Sequence, residues 1–190
     1  MNFLGHLYFS NNDLDLMIAN LFGDFCKGKS YQRYPKKIQD GVILHRSIDS
    51  FIDNHDKVKE IRTLLHKPLP KVAGIAIDLY FDHLLSKHWS RYHKVSYNDF
   101  LHSFYNHKSE YETLYPEHFQ LFLKILREQK WMNHYPTPYG LKKSCEGVSK
   151  RISFENKLKN APSLIKEFEG DLLSAFELYM EDAQLFFGPH

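Results

Sequence analysis

The apolar positions of this chain recur at helical spacing from one end to the other, and no stretch alternates as a half-buried strand does. Residues 2–9 are apolar apart from Asn2 and His6. Asn11-Asn12-Asp13 reads as a turn and N-cap. Leu14, Met17, Ile18, Leu21, Phe22 and Phe25 then predict a helix from Leu14 to Lys27, stopped at Gly28. Pro35 suits the first turn of the next helix, whose informative part is Gly41-Val-Ile-Leu-His-Arg-Ser-Ile-Asp-Ser-Phe-Ile-Asp-Asn54. Val42, Ile43, Ile48, Phe51 and Ile52 supply its buried face, and Asn54-His55-Asp56 ends or kinks it. Further helices are expected over Lys57–His66, Lys71–Tyr92, Asp99–Leu114, Glu117–His134 and Tyr139–Arg151. A last helix over Leu164–Phe187 would be capped by Ser163 and weakened in its middle by Gly170. No repeat and no Pro/Gly/Ser-rich linker interrupts the series. The expectation is one all-α domain over residues 1–190, a bundle of about seven or eight helices.

Composition narrows the partners more than the fold. The net charge of +2, from 25 Lys and Arg against 23 Asp and Glu, lacks the excess that phosphate neutralisation on nucleic acid requires. The first residues carry neither a basic leader nor a long apolar run, so a signal peptide and a membrane span are not expected. Cys26 and Cys145 fit no zinc spacing or redox pair, and a cytoplasmic, reducing setting follows. The 12 histidines are numerous, although His107, His118 and His134 have no evident partners in the sequence.

Candidate chemistry gathers in residues 1–93, leaving 94–190 as helical scaffold or partner surface. On a helix, His45, Asp49 and Asp53 share one face at four-residue spacing, with Arg46 one position round. Asp78 and Asp82 repeat that spacing in an apolar neighbourhood, followed directly by His83. A carboxylate so placed is neutral, paired or bound to a cation. With His6 and Asp24, these segments offer an imidazole and carboxylate set suited to Mn²⁺, Fe²⁺, Mg²⁺ or Zn²⁺, and hence to metal-assisted hydrolysis. Arg46 and Lys27 are candidates to grip a phosphate. No nucleophile elbow, P-loop, dinucleotide-binding glycine motif, His-Glu-x-x-His or paired Glu-x-x-His is present.

Asn2-Phe-Leu-Gly-His6-Leu, Asn20-Leu-Phe-Gly-Asp24-Phe, the stretch from Gly41 to Asp49, Asp53-Asn54 and Asp78-x-x-x-Asp82-His83-x-x-Ser86-x-His88-Trp89 resemble the acyl carrier protein phosphodiesterases, or holo-acyl-carrier-protein hydrolases. The resemblance covers the N-terminal half in order and spacing. It implies an all-α enzyme related to HD-type metal phosphohydrolases, with extra C-terminal helices. It also implies a manganese-dependent reaction (Mg²⁺ or Fe²⁺ being the other candidates) that removes 4′-phosphopantetheine from the serine of holo-acyl carrier protein. Residues 21–28 look like the His-Asp-x-x-Lys-Gly signature with Gly23 in place of the His, which makes Asp24 a metal ligand, Lys27 a phosphate contact and Asp78 the distal Asp. His6 and His45 are the available substitutes for the missing His. The resulting expectation has His6, Asp24, His45, Asp78 and Asp82 holding the metal. Asp49 or His83 would orient or deprotonate water, and Arg46 would bind phosphate. Acyl carrier protein is the expected partner, and the basic run Lys27, Lys29, Arg33, Lys36 and Lys37 a docking surface for that acidic protein. The alternatives are a small phosphodiester or nucleotide as substrate, or a helical interaction protein without catalysis; the oligomeric state is left open.

Overall fold

One helix, α5 (Ala73–Lys87), is buried on nearly every side, and the others are arranged around it. Its apolar residues do not confine themselves to a stripe, because α1, α4, α8 and α10 all pack against it. The structure, a computed structural model, describes residues 1–188.

In chain order the helices are α1 (Phe3–Tyr8), α2 (Leu14–Leu21), α3 (Lys36–Asn54), α4 (Asp56–His66), α5, α6 (Tyr97–Asn106), α7 (Glu117–Gln129), α8 (Pro138–Arg151), α9 (Ala161–Leu164) and α10 (Glu169–Phe187). Short 3₁₀ turns link several of them, and no strand occurs among the described residues. Setting aside the six-residue α1 and the four-residue α9, eight helices remain, the upper end of the expected number. No helix of the described residues is long and apolar enough to cross a membrane, and both cysteines are free.

The α2–α3 crossing is close because Gly41 has no side chain: a Cβ there would lie 2.3 Å from Ala19 Cβ. Asn11 and Asn12 take positive φ in the preceding turn, and the Asp13 carboxylate accepts from Leu16 N at 2.9 Å, capping α2 as its sequence predicts. Val42, Ile48 and Ile52 enter the core from α3; Ile43 instead faces solvent at 49% exposure.

Several predicted helices are shorter than their periodicity suggests. The expected helix from Leu14 to Lys27 ends at Leu21, and Phe22–Phe25 tightens into a 3₁₀ turn. The Asp99–Leu114 segment breaks after Asn106, where the extended His107 reaches Asp15 at 2.7 Å. The helix from Glu117 stops at Gln129 because Lys130 adopts φ 48°, and the Lys71–Tyr92 helix runs only from Ala73 to Lys87. Ser163 does not cap the last helix: its hydroxyl donates to Asn160 O inside α9, and α10 starts at Glu169, so Gly170 falls in the first turn.

Candidate active site

Three elements bring the four N-terminal ligand candidates together. Helix α1 presents His6, the 3₁₀ turn after α2 presents Asp24, and α3 presents His45 and Asp49 one turn apart. The two imidazoles stack, with centroids 4.1 Å apart and planes 14° from parallel. His6 Nε2 lies 3.3 Å from Asp49 Oδ1, and His45 Nε2 lies 3.2 Å from Asp49 Oδ2 and 3.4 Å from Asp24 Oδ1. Gly23 makes this possible. A Cβ on Gly23 would sit 2.2 Å from His45 Cγ, so the imidazole of His45 fills the space beside residue 23.

The tautomer of His6 is fixed by Asn20. The Asn20 amide donates to His6 O at 3.0 Å and Ser10 Oγ at 3.1 Å, so its oxygen faces His6 Nδ1, which donates to it at 2.9 Å. The lone pair of His6 is therefore on Nε2, aimed at a carboxylate oxygen. Two acceptors 3.3 Å apart repel unless a proton or a metal cation lies between them. His45 lacks such an anchor. Its Nδ1 is buried without a hydrogen-bond partner among the described residues, and the ring is held by Gly23 and by the stack on His6.

The electrostatics follow from this crowding. Burial lowers the pKa of His6 and keeps it neutral, with the neighbouring His45 acting in the same direction and Asp49 opposing. Burial also disfavours charge on His45, but Asp24 and Asp49 outweigh it and raise its pKa to about 9. Asp49 and Asp24, though partly desolvated, are held below the ordinary carboxylate range by the imidazoles. His6, His45 and Asp49 form a group whose donor atoms lie within 4.8 Å of one another and could hold a metal ion. Separations near 3 Å are those of adjacent ligands about 2.1 Å from one octahedral cation, and the mixed N and O donors suit such an ion. Asp24 Oδ1 lies outside that group and borders it at His45 Nε2, 3.4 Å away.

The other candidates take different partners. Asp78 lines the same cleft, where its Oδ1 pairs with the Met1 ammonium at 3.2 Å, and desolvation raises its pKa. Asp82 is buried beneath α1 and accepts from Leu4 N at 2.8 Å and Gly5 N at 3.0 Å, capping the helix that carries His6. Burial dominates its titration, and its pKa is raised to about 7. His83 turns away and donates from Nδ1 to Tyr135 O at 2.6 Å. Arg46 donates to Cys26 O at 2.9 Å and Gly28 O at 2.6 Å and stacks on Tyr31, tying down the 26–28 segment. Lys27 is exposed in that segment. Asp53 pairs with Arg62 at 2.6 Å.

Two participants have little sequence signal. Asn20, one turn before Asp24, is fully buried as the orienting partner of His6; a buried amide inside an apolar helix is the only hint. Arg151 of α8 lines the cleft of about 380 Å³ together with His6, Asp24, Asp49 and Asp78, although it lies in the half of the chain without a recognisable constellation.

The family model described as acyl carrier protein phosphodiesterase matches residues 1–183. A protein named acyl carrier protein phosphodiesterase from Salmonella agona (strain SL483) is 30% identical over 156 residues, covering 80% of this chain and 79% of that protein. One of the same name from Enterobacter sp. (strain 638) is 38% identical over 91 residues, 48% of this chain and 47% of its own length. No solved structure matches. With the family model spanning nearly the whole sequence, this chain belongs to the acyl carrier protein phosphodiesterase family.

Proposed function

We propose that this protein hydrolyses the phosphodiester of holo-acyl carrier protein, releasing 4′-phosphopantetheine and the apo protein, with a divalent cation held by His6, Asp24, His45 and Asp49. The observation that carries the reading is the meeting of two imidazoles and two carboxylates at donor separations of 3.2–3.4 Å, with the lone pair of His6 turned toward Asp49. The nitrogen and oxygen donors without thiolate suit Mn²⁺, Fe²⁺, Mg²⁺ or Zn²⁺, and the family resemblance is what selects Mn²⁺ among them. When bound, such an ion lowers the pKa of water and offsets charge on the phosphoryl oxygens.

The chain's own residues do the rest. Asn20 keeps the His6 proton on Nδ1, so Nε2 stays available as a donor atom. Asp82 holds α1 in register through Leu4 N and Gly5 N and acts through His6 as a positioning residue. In the reaction, a water oxygen bonds to phosphorus, the bond from phosphorus to the serine oxygen breaks, and that oxygen takes a proton. Asp78, in the cleft and with its pKa raised by desolvation, is placed to carry that proton. Of the basic run, Lys36 pairs with Asp40 and Lys37 with Asp13, while Lys27 and Lys29 stay exposed to meet an acidic partner.

The test is mass spectrometry of holo-acyl carrier protein incubated with the protein and Mn²⁺. Loss of the phosphopantetheine mass, abolished in His45→Ala and Asp24→Ala, is expected. An unchanged carrier protein, with a panel of nucleotides hydrolysed instead, would move the substrate to small phosphodiesters.

A further inference from the structure

The metal cleft does not end at its own walls. Asn2, Phe3, Val148 and Arg151 line it and also line a second cavity of about 370 Å³ between α8 and the 3₁₀ turn at Trp131–His134. The two chambers therefore adjoin across these shared residues, and they differ in character. The first is walled by the carboxylates of Asp24, Asp49, Asp53 and Asp78, the second by the rings of Phe3, Trp131 and Tyr139. Arg151 stands at the junction. Among the residues lining the first chamber it is the one Lys or Arg, and it is exposed, with no ion pair to any described residue.

A phosphodiester entering a chamber of four carboxylates needs a protein cation beside any metal. An exposed guanidinium offers a planar fork to its oxygens. Of the two groups esterified to that phosphorus, the carrier protein is too large to enter either chamber. The other is a thin, uncharged arm with two amides, a branched apolar segment and a terminal thiol. Aromatic walls with scattered amide partners fit that chemistry, and Gln129 and Ser144 supply such partners along the second chamber. The chamber is open because of a residue that is missing a side chain. Gly147 lies one turn before Arg151 on the same face of α8, and a Cβ there would meet nothing within 4 Å.

We propose that the second chamber is the subsite for the pantetheine arm and that Arg151, at the junction, binds the phosphate of the scissile diester. This rests on the reading that holo-acyl carrier protein is the substrate, and the experiment separates the two. Free pantetheine and free 4′-phosphopantetheine are titrated into the full chain while tryptophan emission is followed. The signal reports Trp131, which lines the chamber, because Trp89 is buried and bonded to Val95 O.

Both ligands are expected to change the emission. Gly147→Phe, which fills the chamber, abolishes the response and raises KM for holo-acyl carrier protein at least about tenfold. Gly170→Phe, at an equally open glycine outside both chambers, does neither. Tyr139→Ala removes a ring that is 58% exposed and thus outside the core; it weakens pantetheine binding with the thermal midpoint unchanged. Arg151→Gln weakens 4′-phosphopantetheine about ten- to a hundredfold and leaves pantetheine, which has no phosphate, unaffected. If holo-acyl carrier protein is cleaved but neither ligand changes the emission, or Gly147→Phe and Tyr139→Ala leave KM untouched, the subsite is wrong and the activity stands. If pantetheine binds and Gly147→Phe abolishes it while the carrier protein is not cleaved, the subsite stands and the substrate assignment falls.

Discussion

Replacing Gly23 by alanine tests the site at its tightest point. The added Cβ would lie 2.2 Å from His45 Cγ and 2.5 Å from both Cβ and Cδ2 of the same residue. The nearest of these falls 1.2 Å short of the 3.4 Å at which ordinary contact begins. The imidazole cannot retreat freely, because His6 is stacked against it at 4.1 Å. Either the ring moves by about 1 Å or the turn carrying Asp24 is pushed outward, and each breaks the donor set. Overpacking of this kind costs about 1–3 kcal/mol of stability. Displacement of a reacting group by about 1 Å costs roughly a hundredfold in rate. At an unobstructed helix position the sign is opposite, since glycine to alanine gains about 0.5–1 kcal/mol. Gly170→Ala, where a Cβ meets nothing within 4 Å and which lies outside both chambers, is the internal control. The assays are urea denaturation, Mn²⁺ titration by calorimetry and release of 4′-phosphopantetheine from holo-acyl carrier protein. Gly23→Ala should unfold at lower urea and lose metal affinity and rate together, with the control at or above the parent. A Gly23→Ala protein of parental stability whose Mn²⁺ affinity lies within about threefold of the parent would refute the packing of His45 against the turn.

Asn20→Ala should weaken Mn²⁺ by about ten- to a hundredfold, because His6 loses the acceptor that fixes its proton on Nδ1; equal affinity in calorimetry would refute that role. Asp82→Ala leaves Leu4 N and Gly5 N unsatisfied in the core and should cost about 2–5 kcal/mol in urea denaturation, with a loss below about 1 kcal/mol counting against the cap. For the metal-free protein, the pKa of His45 stands above its unfolded value of 6.5, at about 9. The stabilisation from its Asp24 and Asp49 contacts is therefore complete below about pH 6.5 and disappears as pH rises through about 9. It amounts to at most about 3 kcal/mol, and less because both carboxylates are half-exposed. Thermal midpoints at pH 6.5 and 9 should therefore converge in His45→Gln, and an undiminished difference there would assign the slope to other groups, such as Asp82 and the Met1 ammonium.

The sequence carried the half of the site that depends on periodicity. His45 and Asp49 are four apart, so any helix puts them on one face, and the signature-like Phe22-Gly-Asp24 marked the second carboxylate. Asp78 and Asp82 show where that reasoning ends. Their spacing also places them on one face of α5, but one meets the Met1 ammonium and the other two backbone N–H groups, and no residue type announces a backbone donor. Arg46, one position round from His45, turns to the carbonyls of Cys26 and Gly28 for the same reason: the ends of a 3₁₀ loop expose acceptors that composition does not record. Helix class was legible because the apolar spacing persists, whereas the breaks at Leu21, Asn106 and Gln129 come from tertiary contacts and from the positive φ of Lys130. Arg151 was invisible as a cleft residue, since only the packing of α8 on α5 brings it into the cleft that His6 also lines.

The attachment of α1 to Asp82 has a bearing on how the site comes into being during folding. Six residues are too few to hold a helix in water. Helix α1 is therefore formed only once α5, 77 and 78 residues further along the chain, supplies the carboxylate that ends its row of open N–H groups. Because His6 rides on that helix, a nascent chain that has emerged only as far as α4 has no assembled ligand set, even though His45, Asp49 and Asp24 are already present in it. The cluster of His6, Asp24, His45 and Asp49 thus assembles only after α5 has joined the fold, and a truncated chain ending before α5 is expected to lack it.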